Sequence, residues 1–183
     1  MKKRTTKLTS LLLLLMLAAV FLAGCGDEAD LKIFAMPKEY MNTEVAVKVE
    51  EKLQAAFGET KKIEVFSSPM YNDQKLIVEI AAGGNGIILV PKDTLAMMSA
   101  QGPAVQLDDY FKAEDYPAGV MESLVEDEAG NEKQVKGLFA IPVDSLPIFK
   151  ASGYAEEDIL AFIPVNSPNK ELSIEVLKEL MKP

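Results

Sequence analysis

Gly83-Gly84-Asn85-Gly86-Ile87-Ile88-Leu89-Val90-Pro91 is the stretch on which the fold turns. A glycine-rich turn leads into an unbroken apolar run, Ile87 to Val90, which a proline closes. A strand with one wet face alternates apolar and polar residues, whereas a strand buried on both faces does not. Such strands belong to mostly parallel sheets that carry helices on each side. The flanks agree. Ahead of the run, Asn72 or Asp73 caps a helix with Leu76, Ile77, Ile80 and Ala81 on one face, broken by Gly83-Gly84. Behind it, Thr94 caps a short helix carrying Leu95, Met97 and Met98, which ends at Gly102.

Further out, Leu31-Lys32-Ile33-Phe34-Ala35 reads as a strand closed by Pro37. Asn42 or Thr43 starts a helix in which Val45, Val49, Leu53 and Ala56-Phe57 recur at helical spacing, and Gly58 ends it. Lys62 to Phe66 is a second strand, stopped by Ser67-Ser68-Pro69. The resulting order, β-α-β-α-β-α, predicts an α/β sheet with right-handed crossovers. The second half changes character. Val120 to Val125 and Gln134 to Val143 read as an antiparallel hairpin across Glu128-Ala129-Gly130-Asn131. Residues 144–158 read as a loop with one helical turn, and Leu160 to Val165 as a last strand. Leu172, Val176, Leu177 and Leu180 mark a C-terminal helix. The expectation is a single α/β domain over residues 31–183, with a mainly parallel sheet flanked by helices and one antiparallel hairpin.

The N-terminus has a different composition. Lys2, Lys3, Arg4 and Lys7 precede an apolar segment from Leu11 to Leu22, which ends in Leu22-Ala23-Gly24-Cys25. The segment is short for a membrane span and has the build of an export signal. Its exit resembles the bacterial lipobox. That resemblance implies cleavage after residue 24, a diacylglyceryl group on Cys25, a lipidated tether over 25–30, and residence on the extracytoplasmic face of the cell membrane. Outside the leader, 15 basic residues stand against 28 acidic ones. Such a surface repels nucleic acid and anionic lipid, so membrane attachment falls to the two acyl chains.

Cys25 is the only cysteine and there is no histidine. Ser-His and Cys-His nucleophile pairs, thiolate metal sites and the usual imidazole base are therefore absent. The expectation is a protein that is not an enzyme and needs no cofactor or metal. Gly83 to Gly86 lies between a helix and a strand and lacks the Gly-Lys-Ser/Thr of a phosphate loop, so it reads as a turn. Glu126-Asp127-Glu128 and Asp108-Asp109 lack alternating calcium-loop oxygens and read as solvated faces. Met97-Met98 reads as core filler.

Several stretches resemble landmarks of the first lobe of type II extracellular solute-binding proteins, the lipoprotein receptors of ABC importers. They are the helix before Gly83 with the strand Ile87 to Val90, the segment Leu107-Asp108-Asp109-Tyr110-Phe111, the strand Gly137 to Val143, and Asn166 to Glu171 with the helix that follows. In that family the chain crosses after the third of these into a second lobe. Here only residues 144–159 precede the last strand, so the resemblance implies a single lobe, the second being missing or vestigial.

Open α/β sheets take ligands beyond the carboxyl ends of their strands. The loops there are Met36 to Tyr40, Ser67 to Tyr71 and Pro91 to Thr94. Their candidate ligand contacts are the hydroxyls of Ser67, Ser68 and Thr94 and the rings of Tyr40 and Tyr71; the alternative is that they are caps and turns. Two functions follow. One is an anchored solute-binding-like lipoprotein that serves an ABC permease and takes a small solute. The other is an anchored module that docks another envelope protein.

Overall fold

The computed structural model describes residues 28–127 and 129–183. The leader, Cys25 and the start of the tether lie outside the described residues. Strands are β1 (Leu31–Ala35), β2 (Ile63–Ser67), β3 (Ile87–Pro91), β4 (Val120–Glu126), β5 (Glu132–Leu138), β6 (Ile141–Pro142) and β7 (Ile159–Phe162). Helices are α1 (Thr43–Phe57), α2 (Asp73–Ala82), α3 (Lys92–Met98), α4 (Pro147–Ala151) and α5 (Lys170–Leu180), with 3₁₀ turns between. The main sheet runs β2-β1-β3-β7-β6, and β4 and β5 form a separate two-stranded ribbon. β1 pairs in parallel with β2 and β3, while β7 runs antiparallel to both β3 and β6. The fold is therefore mixed α/β, with a mainly parallel five-stranded sheet, flanking helices and an antiparallel hairpin.

All five residues of β3 are buried. Alternate residues of the sheet feed two cores. Leu31, Ile33, Ala35, Ile87, Leu89 and Ala161 meet α1 and α5 on one side. Phe34, Ile88, Val90, Leu160 and Phe162 meet Leu76 of α2, Leu95 of α3 and Met121 of the hairpin on the other. The side chains of Asn42, Asn72 and Asn169 cap α1, α2 and α5 by accepting backbone N–H groups of the first turn. The outer edge of β2 is blunted. Glu50 of α1 accepts the Val65 N–H at 2.9 Å, and Asp30 accepts the Lys62 N–H at 2.8 Å. A paired edge offers fewer free groups for aggregation.

The structure departs from the sequence reading at four places. The segment read as one strand, Gln134 to Val143, is two: β5 stays in the hairpin and β6 enters the main sheet. The break falls where the Phe139 N–H turns to donate to the Gly119 carbonyl at 3.0 Å. Ile77 and Ala81 of α2 face solvent, because α2 reaches the core through Leu76 and Ile80 only. Met97 is exposed rather than core, since a seven-residue helix presents only one narrow face to the sheet. Thr94 is not a cap: α3 starts directly at Lys92 with no loop after β3. The acidic stretches hold turns. Asp127 accepts from the N–H groups of Ala129 and Asn131, and Asp108 from the Leu138 N–H at 2.9 Å, fixing the hairpin against the loop before it.

Two substitutions test this packing. A Cβ added at Gly119 would lie 1.7 Å from the Ala140 carbonyl oxygen, whereas one at Gly84 meets nothing within 4 Å. Gly119→Ala is expected to cost about 1–3 kcal/mol by overpacking, and Gly84→Ala to stay within about 0.5 kcal/mol of the parent. Ile88→Asp places an unpaired carboxylate in a site with no exposure, and should cost at least about 3 kcal/mol in a denaturant titration.

Candidate functional site

The strand order places a crevice between β1 and β3. The β1-α1-β2 connection moves outward in one direction along the sheet, and β2-α2-β3 returns past β1 to its other side. Where the order reverses, the two chains leaving the sheet diverge and open a cleft at its carboxyl edge. Pairing holds as far as Met36, whose N–H donates to the Leu89 carbonyl at 2.8 Å. Beyond it lie residues 37–39, while α3 follows β3 directly. β7 closes a third side. Because it runs antiparallel to β3, its entering segment, residues 154–158, arrives at the same edge. The Lys92 N–H donates to the Asp158 carbonyl at 2.8 Å and ties that segment to α3.

These three segments enclose a cavity of about 530 Å³, within the range that holds a small organic ligand. Its walls are Pro37, Pro91, Ala96 and Ile159, and the ring of Tyr154. Charges surround it: Lys38 and Lys92 against Glu39, Asp93, Glu156 and Asp158. Lys38 forms an ion pair with Asp93 that joins the loop after β1 to α3. That hydrogen bond holds the Asp93 carboxyl below the usual carboxylate range and the Lys38 ammonium above its own. Both are therefore charged at neutral pH, and the pair is lost as pH falls through the lowered pKa of Asp93 or rises through the raised pKa of Lys38. Both side chains are largely exposed, so the bridge shapes the cavity mouth rather than stabilising the fold.

Tyr154 is placed by the end of α4. Gly153 adopts φ +94°, a left-handed value that turns the chain out of the helix. The Tyr154 N–H then donates to the Phe149 carbonyl at 3.0 Å, and the two rings pack with centroids 6.4 Å apart. Tyr154 is 7% exposed, yet its hydroxyl has no hydrogen-bond partner among the described residues. Burial, with the nearby Glu156 charge as the smaller cause, pushes the phenol pKa up. The group is therefore a neutral donor and acceptor at neutral pH. Buried polar groups are normally paired, so the unpaired hydroxyl is a local cost to stability, while other atoms of Tyr154 line the cavity.

None of the five residues singled out from the sequence lines this cavity, although two of the three loops do. Tyr40 is 57% exposed with its hydroxyl 2.9 Å from that of Thr43. Ser67 donates to the Met41 carbonyl at 3.3 Å. Ser68 is buried and donates to the Met70 carbonyl at 2.9 Å; it borders a separate, shallower hollow with Met70, Lys75 and Val78. The structure does bring Tyr71 and Thr94 together, at 2.8 Å between hydroxyls, while Tyr71 also donates to Asp73. The pair straps the loop after β2 to α3. Tyr154, Glu156 and Asp158 carried no sequence signal, because they reach the site only through the reversed direction of β7.

Tyr154→Phe removes the unpaired hydroxyl while keeping the ring. It is expected to raise the stability of the unliganded protein by about 1 kcal/mol. Tyr154→Ala removes the ring as well and should cost about 3 kcal/mol or more. Chemical denaturation of the two variants checks both signs.

No family model matches the sequence, and no curated protein matches it. A solved structure, CpMnBP1 with mannotriose bound, is similar at 17% identity and a TM-score of 0.41, over 63% of this chain and 28% of that one. This chain therefore spans less than a third of that protein's length.

Proposed function

We propose that this chain is a small-solute-binding domain held at the extracytoplasmic face of the cell membrane by lipid on Cys25. The observation that carries the reading is the cavity at the reversal of strand order, walled by Pro37, Pro91, Ala96, Tyr154 and Ile159 and ringed by charged side chains. The leader ending in Leu22-Ala23-Gly24-Cys25 supports the anchor, and the segments that resemble landmarks of solute-binding lipoproteins support an ABC permease as the partner that receives the solute. We read the role as binding, because the sequence has no histidine and Cys25 as its single cysteine, which removes imidazole and thiolate chemistry. The cavity's charged side chains are lysines and carboxylates, and with one side open it suits reversible capture in the micromolar to millimolar range.

A second reading rests on a different surface. Phe66 of β2, Met70 and Val78 are exposed apolar side chains at the β2–α2 edge. The Lys75 ammonium lies 5.4 Å from the Phe66 ring centroid and joins them into one patch. Such a surface suits docking to another envelope protein.

Two experiments test the first reading. Cys25→Ser should move the chain from the membrane fraction to the soluble extracytoplasmic fraction and remove the lipid mass; a variant that stays membrane-bound would contradict the anchor. Thermal shift of the full-length chain in detergent against sugars, amino acids, amines and anions should find a stabilising solute. Ala96→Phe, which fills the cavity from the exposed side of α3, should abolish that shift. Stabilisation that survives Ala96→Phe would place binding elsewhere.

A further inference from the structure

We propose that a short tether holds the amino-terminal edge of the main sheet against the bilayer surface, so that the cavity at the opposite edge opens away from the membrane. The proposal rests on the lipid anchor at Cys25 and adds the pose in which that anchor holds the domain. The start of β1 is pinned. The Asp30 N–H donates to the Lys62 carbonyl at 2.8 Å, and the Asp30 carboxylate accepts the Lys62 N–H at 2.8 Å. Five residue steps separate Asp30 from Cys25, a reach of at most about 18 Å. Seven steps lead the other way, through β1 to Pro37 at the cavity wall, and extended chain covers about 23 Å over them. With the cavity mouth turned onto the bilayer, Asp30 would stand higher than the tether reaches. The inverted pose is therefore closed to the anchored chain.

Charge separates the two edges as well. β1, β2 and β3 start at one level, with Leu31 opposite Ile63 and the Gly86 N–H donating to the Lys32 carbonyl at 2.9 Å. The turns ahead of β2 and β3, residues 58–62 and 81–86, flank the tether there. Residues 163–169 join them, since the Asn166 side-chain amide donates to the Ile80 carbonyl at 2.7 Å. These segments and Asp30 together carry two acids, Asp30 and Glu59, and two lysines, Lys61 and Lys62. At the opposite edge, residues 36–42, 68–72, 91–93, 143–146 and 152–158 hold six acids against Lys38 and Lys92. An anionic bilayer repels that edge and leaves the balanced one free to approach. The acidic end of the hairpin, with Glu126, Asp127 and Glu132, borders residues 165–170, beyond β7 from the tether. Its repulsion tilts the domain so that the β1–β2 corner comes nearest the lipid. In this pose solute enters from the extracytoplasmic space, and a permease that receives it must meet the flank or top of the domain.

The chain has no tryptophan, so single tryptophans can report the pose. Gly84→Trp samples the amino-terminal edge, where an added Cβ meets nothing within 4 Å. Tyr40→Trp samples the cavity edge, and Val47→Trp and Met97→Trp the two helical faces; all three positions are exposed. Each full-length chain, its lipid verified by mass, is reconstituted into phosphatidylcholine–phosphatidylglycerol vesicles that carry a dansyl group on a fraction of the headgroups. Energy transfer from tryptophan to dansyl is then measured. Transfer should be highest for Gly84→Trp and severalfold lower for Tyr40→Trp, with the two faces between. An insertion of about twelve Gly/Ser residues after Gly26, a random-coil span of about 20 Å, should bring the four signals together. Cys25→Ser should abolish transfer at every position. Equal transfer from all four positions, or highest transfer from Tyr40→Trp, Val47→Trp or Met97→Trp, in a lipidated chain would overturn the pose and leave the anchor standing. A preference for Gly84→Trp that survives the longer tether would overturn the tether as its cause. A chain without lipid mass would end the anchor reading, and the pose with it.

Discussion

Burial of β3 on both faces is the constraint on which the rest of the molecule depends. Ile87, Ile88, Leu89 and Val90 have no exposure, and they point alternately into two separate cores. Neither core closes without a layer of helices, so the chain must cross the sheet on one side with α1 and on the other with α2. Right-handed crossovers then allow little choice: β2 lies beyond β1, and β3 returns to the opposite flank. The strand order, the position of the crevice and the direction from which β7 must pair with β3 all follow from that requirement.

The crevice is a by-product of topology that the local sequence turns into a cavity. Prolines 37 and 91 end β1 pairing and β3 with rigid, apolar corners. A helix that begins at Lys92 without a loop brings Asp93 to the mouth, where Lys38 meets it. β7, reversed relative to β3, delivers Tyr154 and two acids that no parallel strand could bring from that part of the chain. The loop after β2 takes no part in the cavity. Its hydroxyls are spent on neighbouring groups: Ser68 on Met70, and Tyr71 on Asp73 and Thr94.

Much of the fold was legible because it is written in local periodicity and caps. Asn42 with Gly58 bounds α1, and Gly83 ends α2 in the left-handed conformation. The unbroken run of β3 announced a sheet covered on both sides. What was not legible depended on partners distant in sequence. Nothing near Leu138 tells that the chain leaves the hairpin there, because the reason is its close approach to Gly119. Ile77 reads as core by spacing, and only the shallow seating of α2 turns it outward. Of the cavity lining, residues 37–39 and the first turn of α3 lie in loops that the sequence singles out at the carboxyl ends of strands, whereas residues 154–158 need the strand order to be known first.

The cavity makes the account open to direct test, since its lining specifies where a ligand must lie. The deciding measurement is a crystal structure of the chain grown with the solute that thermal shift identifies. The account predicts ligand density along the wall formed by Pro37, Pro91 and Ile159. A structure in which the cavity holds only solvent while the solute lies elsewhere would contradict it.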